Sequence, residues 1–153
     1  MKILKLLFAI IICQLAGLIG SIFTTPSIPT WYAGLQKPSI APPNWIFAPV
    51  WTTLFLLMGI ALYLAWMARS NKKALTFFSI QLALNMLWSA LFFGLKSPFL
   101  SLIEIIILWF VIFLTIIHFY KISKPAAYLL IPYIIWVSFA AVLNFSFYLL
   151  NAS

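Results

Sequence analysis

Five long apolar runs, separated by short breaks that hold nearly all of the charge, set the pattern of this chain. They cover about residues 3–24, 45–68, 74–95, 98–120 and 126–150. A helix needs roughly 20 apolar residues to cross the hydrocarbon core of a bilayer, whereas barrel strands would show shorter, alternating segments. Each run therefore predicts a transmembrane helix. The chain predicts an all-α membrane protein, one five-helix transmembrane domain over residues 1–153. The first run exceeds the roughly 7–15 apolar residues of a secretory signal and lacks a small-x-small cleavage site, so it is read as an uncleaved span. Short connections make sequential helices antiparallel neighbours.

Inside the runs, the polar and small residues recur at helical spacing. Gln14, Gly17, Ser21 and Thr25 share one face of the first run, which should look inward because small and polar residues let helices approach and share hydrogen bonds. In the second run Trp51, Phe55, Met58, Leu62 and Trp66 lie on one side, with Leu62 and Trp66 read as packing or lipid-facing. The third run sets Gln81, Asn85, Trp88, Ser89 and Phe92 on one face. Two amides and a hydroxyl in hydrocarbon are costly unless they meet partners or a ligand. The fourth run starts at Ser97-Pro98, a helix-start signal, and projects Ser97, Ser101, Glu104, Thr115 and His118 to one side. Glu104 is the only acidic residue of the chain. An intramembrane carboxyl is a functional candidate, and equally a group that holds a neighbouring helix. His118 lies near the basic end of its span and is read as interfacial. The fifth run places Tyr133, Trp136, Ala140, Asn144, Phe147 and Asn151 together, leaving a recess at Ala140 beside the Trp136 ring.

One stretch, Trp31 to Trp51, is neither a span nor a charged turn: WYAGLQKPSIAPPNWIFAPVW. Prolines 38, 42, 43 and 49, with 29 just upstream, fix φ and remove backbone donors, so a regular helix is not expected until the chain has passed Pro49. Aromatics packed this densely want burial. The stretch is expected to be an ordered cap over one end of the bundle.

Composition confirms the solvent. Of 153 residues, 66% are hydrophobic and only 7% charged, far below what a soluble surface needs. A net charge of +8 would suggest nucleic acid in a soluble protein, but here the nine basic residues mark the breaks, so no nucleic-acid partner is expected. Lys2, Lys5, Arg69, Lys72, Lys73, Lys121 and Lys124 fall on one side and only Lys37 and Lys96 on the other. By the positive-inside rule the N-terminus is cytoplasmic and the C-terminus and cap are outside. The N-terminal lysines, without an Arg/Ser-rich transit segment, suit a bacterial plasma membrane. Cys13 stands alone, which excludes an intrachain disulfide and a cysteine metal cluster.

Three stretches, WYAGLQKPSIAPPNWIFAPVWTTLFLLMG (31–59), ALNMLWSALFFG (83–94) and PYIIWVSFAAVLNF (132–145), resemble the translocator protein family, also called tryptophan-rich sensory proteins or peripheral-type benzodiazepine receptors. The resemblance implies a five-helix bundle, commonly a homodimer, whose first loop closes a pocket for porphyrins such as protoporphyrin IX and haem, or for flat synthetic ligands. In this sequence the implied pocket residues are Tyr32, Pro42, Trp51, Phe55, Asn85, Ser89, Phe92, Trp136 and Ala140, and the shared face of the third run adds Trp88. Trp51 and Trp136 are the implied reactive pair if bound porphyrin is broken down in light. The chain departs from the family at Ile40 and Met86, where aromatics are frequent, and lacks the basic residue after Tyr148 of the animal cholesterol pattern, so cholesterol is not the expected ligand.

On these grounds the chain is expected to be a membrane receptor or sensor for porphyrins and other flat hydrophobic ligands; light-dependent porphyrin degradation is the alternative and transport a weaker one. A flat macrocycle suits aromatic walls with few polar anchors. Asn85 and Ser89 are candidate anchors, and Lys37 a candidate partner for a propionate. No His or Cys is placed for axial ligation, so neither a metal site nor a resident haem cofactor is expected. Glu104 alone does not make the chain of ionisable groups that coupled transport needs.

Overall fold

The structure, a computed structural model, describes residues 1–152. Among the described residues it is all-helical, with five segments long and apolar enough to cross a membrane. Helix α1 (Lys2–Ser27) has 26 residues, about 39 Å at 1.5 Å per residue, ample for the hydrocarbon core. It runs past the expected end near residue 24 because Pro26 falls in its last turn, where only one hydrogen bond is lost and Ile28 N–H still reaches Thr24 O at 3.1 Å.

The cap follows as two 3₁₀ turns, Tyr32–Gly34 and Asn44–Ile46, joined by extended backbone at Leu35 and Pro43. Helix α2 (Phe47–Met67) begins two residues before Pro49, correcting the expectation that regular helix waits for that proline. Pro49 sits in the first turn, whose N–H groups have no intrahelical acceptor, so its missing donor costs nothing there. At the other end Arg69 adopts φ 59°, and Arg69 and Ser70 N–H bond back to Trp66 and Ala65 O, a Schellman stop made without glycine.

Asn71 caps α3 (Lys72–Ser89), accepting from Ala74 N–H at 2.9 Å. The helix then widens into a π turn, Ala90–Gly94, closed by Leu95 N–H on Ala90 O at 2.8 Å. Ser97 caps α4 (Pro98–Ile122), with Pro98 in its first turn as the sequence predicts. The fifth span is not one helix. It divides into α5 (Lys124–Leu129) and α6 (Ile131–Asn151), because Pro132 has no N–H and its ring excludes a straight helix through Leu130.

The helices close a ring. α1 packs on α2 and on α3, α3 on α4, α4 on α6, and α5 on α2. Consecutive α2 and α3 barely touch, since α1 lies against both; sequence neighbours are therefore not always spatial ones. The fully buried stripe of α1 is Ala9, Cys13, Ala16 and Gly20, one step round from the Gln14–Gly17–Ser21–Thr25 face. That second face is partly buried and meets α2: Gln14 Nε2 donates to Thr52 O at 3.1 Å. Gly59 lets α2 approach so closely that a Cβ there would lie 2.6 Å from Ile10 Cα. At the end away from the cap, Trp66 is 38% exposed under the Lys5 ammonium, 5.1 Å from its ring. His118 is half-buried near the end of α4, its Nδ1 2.7 Å from Leu114 O.

Candidate functional site

Under the cap the ring surrounds a cavity of about 220 Å³. Five parts of the chain build it. α1 contributes small residues, with Gly17, Gly20, Ser21 and Thr24 on the wall. α2 contributes Ala48, Trp51 and Phe55, and α3 with its π turn contributes Asn85, Trp88, Ser89, Phe92 and Phe93. α6 contributes Trp136, Phe139, Ala140, Leu143, Asn144 and Phe147, and Tyr32 and Asn44 close it from the cap. No residue of α4 lines it.

The walls are aromatic and mutually braced. Trp88 stacks on Phe92 (5.1 Å, 16°), and Phe92 meets Phe93, Phe147 and Trp31 edge-on. Across the cavity, Trp136 packs against Phe139 at 5.3 Å and Phe47 at 6.4 Å. Trp51 lies beside Phe55 and edge-on to Tyr133. Such pairs fix ring orientation as well as burying area.

The polar groups divide into committed and available ones. Trp88 Nε1–H donates to Asn144 Oδ1 (3.0 Å) and Asn144 Nδ2 donates to Pro98 O (2.9 Å), joining α3, α6 and the start of α4. Asn85 Nδ2 donates to the Tyr133 hydroxyl at 2.7 Å. Ser89 Oγ faces Gly20, where a Cβ would lie only 3.2 Å from it. Tyr32 is 3% exposed, between Phe93 and Phe147, and its hydroxyl has no partner among the described residues. Burial pushes its phenol up from the usual range, so it stays neutral and able to donate.

Of the ten expected pocket residues, nine line this cavity: Tyr32, Trp51, Phe55, Asn85, Trp88, Ser89, Phe92, Trp136 and Ala140. Pro42 does not. With Pro43 it forms the half-buried to exposed run that carries the chain across to the turn at Asn44, and Asn44 and Phe47 reach the wall instead. Lys37 does not line the cavity either; its ammonium lies 4.9 Å from the Tyr32 ring centre, at an exposed position of the cap. Phe93, Phe139 and Leu143 were not anticipated. Glu104 is buried on α4 with both carboxyl oxygens unpartnered among the described residues, away from the cavity wall, as is Gln81 Oε1 on α3. Neither Cys13 nor His118 lines the cavity.

Residues 9–149 match the profile described as the TspO/MBR family. A "Tryptophan-rich protein TspO" of Archaeoglobus fulgidus is 50% identical, over 99% of this chain and 100% of its own length. Another of the same description, from Chlorobaculum tepidum, is 46% identical over 98% of each chain. A "Translocator protein" of Homo sapiens is 38% identical over 86% of this chain and 81% of its own.

Proposed function

Starting from a chain that belongs to the TspO/MBR family and is an integral membrane protein, we propose that it is a membrane receptor or sensor that binds porphyrins, protoporphyrin IX in particular, and other flat hydrophobic ligands in the cavity beneath the cap. One observation carries this reading: indoles from three separate helices, Trp51, Trp88 and Trp136, converge on a single hollow with few polar groups. Apolar walls with a few placed polar atoms are what a flat, weakly polar ligand needs. Tyr32 lines the cavity from the cap, its buried hydroxyl without a partner among the described residues, and Asn85 and Ser89 sit on the α3 wall. In the same reading the lysine-rich end is cytoplasmic and the cap is outside.

The cavity, at about 220 Å³, falls below the roughly 300–1,000 Å³ of typical ligand pockets. A macrocycle therefore enters only with displacement of the cap or of wall side chains. Titrating the purified protein in the dark with protoporphyrin IX tests the reading, with tryptophan fluorescence as the signal. Saturable quenching at micromolar ligand is expected; linear, unsaturable quenching would remove the proposal.

A second reading, light-driven breakdown of the bound porphyrin, has its own support in Trp51 and Trp136, which both line the wall. It predicts protoporphyrin loss under illumination in air that slows in Trp51→Phe and Trp136→Phe while dark binding survives. Unchanged rates in both variants would leave the protein as a binder alone.

A further inference from the structure

Two hydrogen bonds tie the far half of the cap to the helices, and one side chain makes both. Gln36 N–H donates to Asn151 Oδ1 at 2.9 Å, and Asn151 Nδ2 donates to Gln36 O at 3.0 Å. The same Nδ2 donates to Phe147 O at 2.9 Å, which holds the amide in register on the last turn of α6. Among the described residues, the other hydrogen bonds of positions 29–43 close locally, as in Leu35 N–H on Tyr32 O and Ala41 N–H on Pro38 O, or reach back to the end of α1 from Thr30.

The apolar hold is uneven. Tyr32 and Trp31 root the cap, packed on Phe147 and Phe92. Beyond Tyr32 the segment is mostly exposed or half-buried up to Pro43, and extended backbone at Leu35 and Pro43 bounds it. A segment with few buried apolar contacts opens at low free energy, so a pair of hydrogen bonds decides how often this one lifts.

We propose that Asn151 is the latch of the cap: its clasp on Gln36 sets how often the far half lifts, and so how fast a flat ligand passes into and out of the cavity. This rests on the cavity being a ligand site, and on its volume of about 220 Å³ being smaller than that of typical pockets. The clasp lies outside the cavity wall, because neither Gln36 nor Asn151 lines it. In this proposal the clasp re-forms over a bound ligand, with the wall side chains making the room. A latch of that kind changes rates in both directions together and leaves the equilibrium nearly unmoved, whereas a contact residue changes mainly release.

The test compares the full chain with Asn151→Ala, which loses both bonds, and Asn151→Asp, which keeps an acceptor for Gln36 N–H. Both sit at the exposed end of α6, away from the core. Amide hydrogen exchange in ligand-free protein should quicken about tenfold across residues 33–43 in Asn151→Ala, the order expected for two net hydrogen bonds. It should quicken less in Asn151→Asp and stay unchanged in α3. With protoporphyrin IX as probe, association and dissociation should rise together by a similar factor, with affinity within about twofold. Unchanged exchange would overturn the latch, and so would faster release with unaltered association. If the wild type takes up no protoporphyrin IX, the ligand reading fails, and the exchange data still decide whether the clasp holds the cap.

Discussion

Asn85 shows how much one amide settles at the scale of a residue. It stands on the cavity wall, yet its N–H is given to the Tyr133 hydroxyl, so it anchors α6 to α3 before it meets any ligand. Asn85→Leu leaves that buried hydroxyl without its partner. Thermal unfolding in detergent should register a loss of about 1–3 kcal/mol. The position was legible in the sequence, because Asn85, Trp88, Ser89 and Phe92 share a face at the helical period. Its commitment was not, since Tyr133 lies 48 residues further on. Trp88 is similar: the periodicity turns it inward, but only the fold gives its indole N–H to Asn144. In the cap, where no period exists, a resemblance and a charge argument point Pro42 and Lys37 to the pocket, and neither lines it.

At the scale of elements, departures from straight α-helix shape the site. The π turn Ala90–Gly94 takes an extra residue per turn, so neighbouring Phe92 and Phe93 both reach the wall, 4.8 Å apart. A reading at 3.6 residues per turn turns only one of them inward, which is why Phe93 was missed. Pro132 was a visible breaker inside the fifth run, but apolar composition alone continued the helix through it. The α1–α2 contact depends on Gly59, where the nearest atom to an added Cβ is backbone of Ile10, so the helices rather than a side chain have to give. Gly59→Ala should lower stability by about 1–3 kcal/mol, as overpacking does, read as a drop in the thermal midpoint. Gly34→Ala, with nothing within 4 Å, should stay within about 0.5 kcal/mol. Equal midpoints for the two variants would refute the close-contact account.

For the whole molecule, five spans and the cap were readable because a bilayer demands length and apolarity, and charge gathers in the breaks. The ring order was not readable, since it places α1 between α2 and α3 against the order of the chain. The proposed orientation puts Gln36, exposed in the cap, on the outer face. A membrane-impermeant maleimide should label Gln36→Cys in intact cells, while the native, buried Cys13 stays unlabelled. Labelling only after lysis would reverse the orientation.

The central claim is that ligand occupies the hollow under the cap, and the most direct measurement fills that hollow from the inside. Ala140→Phe adds a ring to the α6 wall beside Trp136, whereas Phe110→Ala changes an exposed position of α4 outside it. Titrated with protoporphyrin IX, the first should bind at least about tenfold more weakly, in line with the roughly 1–3 kcal/mol of overpacking, and the second like the wild type. Equal affinities in all three would contradict the account and move the ligand to another surface.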